Sequence, residues 1–168
     1  MNSKYLAGMP SDFTKWAEII ADSQTNWTQL WHCGNEETLE QPLLALIQEE
    51  HLRNFQLWHQ EDKARAPTAT ASRIAAVKRA IDHLNQERND LIERVDEQIL
   101  IIICRCRTAL KKIPLWNSET PGSIIDRLSI ISLKIFHMRE QAERTNVTPS
   151  HIRKCRKQLA ILQRQRAD

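Results

Sequence analysis

Apolar side chains recur along this chain at spacings of three and four. Ile74, Val77, Ile81, Leu84, Leu91, Val95 and Ile102 form one such stripe, interrupted by Arg88. Ile124, Leu128, Ile131, Ile135 and Met138 form another, and Ile152, Cys155, Leu159 and Leu162 a third. A period of 3.6 residues puts such positions on one side of a helix, so each stripe predicts a buried helical face. All six prolines lie between or at the ends of these patterns, at positions 10, 42, 67, 114, 121 and 149. Proline is tolerated in the first turn of a helix and breaks its interior. "TPG" at 120–122 and "TPS" at 148–150 each read as a capping threonine followed by proline at the first helical position. Five helices follow, at about 11–33, 42–64, 71–111, 121–145 and 149–166. The third is very long and has room for a kink or break near 104–108. The expected fold is all-α: one domain over residues 1–168, a bundle of about five helices packed antiparallel.

Polar residues interrupt these stripes. Leu44, Ile47, Phe55 and Trp58 share a face of the second helix with His51 and Asp62. Asn85 and Arg88 fall near the centre of the third stripe, with Asn89 on its border. In "IIDRLSIISLKI" apolar residues point nearly all round, which predicts a central helix. Yet that segment carries Asp126, Arg127 and Lys134. A buried charge is costly unless paired, so these residues need partners or a ligand. Arg88, Arg127 and Lys134, with Asn85 and Asn89, suit a carboxylate or phosphate group. His51, Asp62 and Asp126 suit acid–base work. The same residues also suit a closed network in which acids pair with arginines. Ser123-x-x-Asp126 further resembles a capping box, which would commit Asp126 to a helix start.

Composition narrows the choices. No apolar run approaches the roughly 20 residues of a membrane span, and the N-terminus has no signal-peptide core. A cytoplasmic location is expected. The net charge of +3 conceals a split. Residues 1–62 hold ten acids and three Lys/Arg, and the remainder holds eleven acids and 21 Lys/Arg. Such a split suits a basic binding face, or an acidic N-terminal part packing on a basic C-terminal part, which is the expectation here because the basic residues are interleaved with core positions. Four cysteines without a C-x-x-C pair read as reduced thiols. No phosphate loop, nucleophile elbow or H-E-x-x-H is present, no metal site is expected, and any cofactor is left unknown.

Three stretches carry a resemblance: "NFQLWHQEDKAR", "IDHLNQERNDLIE" and "PGSIIDRLSI". Together they resemble the bacterial domain-of-unknown-function 4254 family over roughly residues 50–141. The motif positions include Asn54, Trp58, His59, Glu61, Asp62 and Arg65. They continue through Asn85, Arg88 and Asn89 to Gly122, Asp126 and Arg127. The resemblance implies an all-helical bacterial protein, encoded near glycosyltransferase or cell-envelope sugar genes, with no assigned reaction. It also implies a further helix and tail beyond "LQRQRAD".

Two functional expectations stand side by side, and whether the protein is an enzyme stays open. One is binding or processing of a small anionic ligand, a phosphorylated sugar or sugar nucleotide. There Asn85, Arg88, Asn89, Arg127 and Lys134 bind, and His51, Asp62 and Asp126 catalyse. The other is a non-catalytic adaptor of a glycosyltransferase, or a protein that self-associates. A more distant alternative is nucleic-acid binding by the basic last helix, "IRKCRKQLAILQRQR".

Overall fold

A computed structural model describes residues 15–35, 39, 41–105 and 118–167. Five helices make up nearly all of this: α1 (Trp16–His32), α2 (Pro42–Arg65), α3 (Ala71–Arg105), α4 (Pro121–Glu143) and α5 (Pro149–Ala167). There is no strand among the described residues. The kink considered after 104 and the last turns expected of the third helix fall largely outside them.

The helix boundaries follow local chemistry. Pro42 and Pro121 occupy the first turns of α2 and α4, where a missing N–H costs nothing. Thr70, Thr120 and Thr148 each turn Oγ1 back to accept the N–H three residues on, from Arg73, Ser123 and His151. Thr120 is thus the cap of α4, and Asp126 is not part of that cap. α1 ends in a Schellman turn. Gly34 adopts φ +74°, its N–H bonds to the Trp31 carbonyl, and Asn35 bonds back to Leu30. A side chain at 34 would be strained by that backbone alone.

The main core joins Trp16, Ile20 and Trp27 of α1 with Leu43, Leu44 and Ile47 of α2. Leu91, Val95, Ile99 and Ile102 of α3 and Ile125 of α4 complete it. A smaller cluster, Leu57, Val77 and Ile81, closes the other end of α2 on α3. α4 packs on all four other helices and is the centre of the bundle. Not every stripe residue is buried. Ile74, in the first turn of α3, and Ile124, in the first turn of α4, are exposed; α4 meets α3 at that point through Gly122 and Ile125 instead. Glu49–Arg94, Glu61–Lys78 and Asp22–Arg166 link the acidic part of the chain to the basic part. These exposed pairs add little stability each.

Gly122 sets how closely α4 approaches α3. Its N–H donates to Asp96 Oδ1 at 2.7 Å, and a Cβ there would lie 2.6 Å from the Ile92 carbonyl oxygen. Gly122→Ala must push the two backbones apart. An overpacking cost of about 1–3 kcal/mol is expected, read as a lower urea midpoint with unchanged slope.

Candidate functional site

The most buried polar groups form one chain across three helices. Gln24 and Thr28 come from α1, Glu50, His51 and Asn54 from α2, and Ser129 from α4, all essentially without solvent access. Gln24 donates from Nε2 to the Ile125 carbonyl, tying α1 to α4. Thr28 gives its hydroxyl proton to the Gln24 carbonyl at 2.8 Å, so toward His51 Nε2, 2.9 Å away, it only accepts. That places the His51 proton on Nε2 and leaves Nδ1 as an acceptor. Ser129 Oγ fills that role as donor at 2.7 Å, and itself accepts from Asn54 Nδ2 at 2.9 Å. Burial pushes the His51 pKa down to about 3, against a weaker upward pull from its bond to the Gln24 backbone. The ring is neutral, as two hydroxyl neighbours with these roles require.

Asn54 is the junction with a second group of charges. Its Nδ2 also reaches Glu50 Oε1 at 2.5 Å and Asp126 Oδ1 at 2.8 Å. Two amide hydrogens thus serve three acceptors. Both carboxyl groups crowd the same nitrogen, and two such groups cannot both ionise cheaply. Burial raises the Glu50 pKa well above the usual glutamate range. Hydrogen bonding to Asp126 and its charge add to this, and Arg88 offsets only part. Glu50 is therefore the acid of the pair whose protonated form the fold favours.

Arg88 faces the pair from α3. Its Nε lies 3.8 Å from Asp126 Oδ1, too far for a hydrogen bond, and this nitrogen is buried without an acceptor. The arginine is held in place by charge but left short of a partner.

Two cavities open beside this network. The first, about 260 Å³, lies between α2, α3 and α4. Asn54, Trp58 and Arg65 line it from α2, Asn85 and Arg88 from α3, and Ile130 and Leu133 from α4. The second, about 510 Å³, lies between α2, α4 and α5, with Trp58, Asp62, Lys134 and His137 in its wall. Trp58 borders both. Its ring stacks on His137, with centroids 4.5 Å apart and planes 7° from parallel. His32 and His59 gather behind, with ring centres 5.1 and 6.0 Å from His137. Burial lowers the pKa of both His59 and His137. Neighbouring imidazoles add to the effect, and Glu140, hydrogen-bonded to His137 at 2.8 Å, only partly opposes it. Among the described residues, no three His, Cys, Asp or Glu side chains are arranged to hold a metal ion.

The residues singled out by the sequence thus separate. Arg88 and Asn85 share the first cavity, with Asp126 behind Arg88. Asp62 and Lys134 share the second. Arg127 is exposed and pairs with Glu119, while Asn89 lies exposed one step round α3 from Arg88. His51, expected as a base, is fully buried with both ring nitrogens engaged. Its bond to Ser129 has the form of an activated nucleophile, but neither side chain lines either cavity. Five members of the network were not singled out from sequence as site residues: Gln24, Thr28, Glu50, Asn54 and Ser129. Their spacing held a signal, since Gln24 and Thr28, like Glu50 and Asn54, are four apart and share a helix face.

Among known proteins, a family model described as "Protein of unknown function (DUF4254)" matches residues 44–168. No curated protein and no solved structure matches the chain.

Proposed function

The chain belongs to the DUF4254 family, and we propose that it binds a small anionic ligand, a phosphorylated sugar or sugar nucleotide, in the cleft between α2, α3 and α4. One observation carries this reading: Arg88 sits at that cleft with its buried Nε lacking an acceptor. The side chain is about a quarter exposed, so a phosphate or carboxylate oxygen in the cleft meets the guanidinium, which is shaped to hold one. Asn85 offers an amide to the rest of the ligand. No bond-breaking step is assigned to this site.

Arg88→Met, assayed by calorimetric titration with glucose 1-phosphate, tests it. The expected loss is about 10- to 100-fold in affinity, the worth of a hydrogen bond to a charged group, while the fold survives. An Arg88 that serves only the network would instead cost several kcal/mol of stability. Wild-type protein would then show no heat of binding.

A second reading, docking of a glycosyltransferase or a second copy of the chain, is favoured by a different observation. Leu100, Ile101 and Ile103 are exposed near the end of α3. Light scattering over a range of concentrations distinguishes self-association from a monomer.

A further inference from the structure

We infer that the larger cavity, between α2, α4 and α5, is a saccharide site that takes an uncharged, polyhydroxylated ring. It goes beyond the anion cleft, with which it shares only Trp58.

Three features of the cavity point to this ligand class. The first is its aromatic wall. Trp58 and His137 are stacked on one another and both border the cavity. The stack covers the facing sides of the two rings, and a pyranose, with its flat face of C–H groups, packs against the side of such a wall that is left open. The second is the rest of the lining. Gln141, Gln158 and Gln165 each carry a donor and an acceptor on one amide, which matches hydroxyl groups that both give and accept. The third is charge. Asp62 and Lys134 bring one charge of each sign, so the cavity favours no net charge on its occupant. Both also make strong hydrogen bonds to hydroxyls. The lowered pKa of His137 agrees with this, since a neutral ring adds no charge to the wall. The volume of about 510 Å³ lies within the range of ordinary small-molecule sites.

Saturation-transfer NMR with two uncharged sugars, methyl glucoside and N-acetylglucosamine, tests the inference on the full chain. Transfer from protein to the ring protons of at least one sugar is expected. Gln158 is exposed on α5, so Gln158→Ala leaves the core intact; it and Trp58→Ala should each weaken binding by roughly three- to tenfold. Arg88→Met should leave the sugar signal unchanged. No transfer from either sugar, or equal transfer in wild type and Gln158→Ala, overturns the inference. The two proposals fail separately. Sugar signal without any glucose 1-phosphate dependence on Arg88 removes the anion cleft and keeps this site. Phosphate binding without sugar signal does the reverse.

Discussion

Asn54→Ala is expected to cost about 3–5 kcal/mol of stability, the range for breaking a buried charged network. Asn54 Nδ2 is the donor to Glu50 Oε1, Asp126 Oδ1 and Ser129 Oγ. Alanine leaves all three acceptors buried and short of a proton, and each such group carries its own desolvation cost. Chemical unfolding followed by circular dichroism measures the loss. Glu50→Gln is the matched control. If Glu50 is protonated in the fold, glutamine reproduces its shape, its lack of charge and its acceptor for Asn54. The variant should be at least as stable as wild type at pH 7, because no proton has to be taken up on folding. A loss as large as that of Asn54→Ala would show that Glu50 works as a charged group.

Acid should weaken the fold through His51, and the sign can be worked out. In the unfolded chain the imidazole titrates at its ordinary value of 6.5, and in the fold at about 3. Above pH 6.5 both states are neutral and His51 contributes no pH dependence. As the pH falls from 6.5 toward 3, the unfolded chain takes up a proton that the folded one refuses. Stability then drops by up to about 5 kcal/mol across that window. His59 and His137, also lowered, act in the same direction by smaller amounts. Glu50 acts oppositely. Its folded pKa is raised above the ordinary 4.5, so its share of stability is present below that value and is lost as the pH rises through its folded pKa. Unfolding curves between pH 4 and 8 should therefore bend down on the acid side, and that bend should shrink in His51→Gln. In Glu50→Gln the acid-side fall should be steeper, because the opposing slope is gone. An acid limb unchanged by His51→Gln would contradict the assignment.

The helices were readable because their limits are set locally. Proline at first-turn positions, the threonine caps at 120 and 148 and the 3.6-residue stripes all act within a few residues. Thr70 is the exception: it caps α3 without a following proline. The site was less readable because it depends on which side of a helix meets which neighbour. Arg127 and Asp126 are consecutive, about 100° apart round the helix, so Asp126 meets Asn54 while Arg127 turns out to Glu119. Glu50 stands between Glu49, which is exposed, and His51, which is sealed. Only the packing of α2 against α4 decides that Glu50 is the buried acid. Ser129 and Ser132 are buried in a helix whose sequence is otherwise dominated by isoleucine and leucine. Serine fits there because it is small and, at 129, has both a donor and an acceptor in reach.

The central claim is that Arg88 Nε is kept in place for an anion. Its N–H resonance can be followed directly by ¹⁵N NMR while glucose 1-phosphate is added. The account predicts a saturable shift of the Arg88 Nε–H signal, as the guanidinium gains an anion beside it, with the Arg127 signal unmoved. Binding of the phosphate with the Arg88 signal unchanged, or no binding at all, would contradict it.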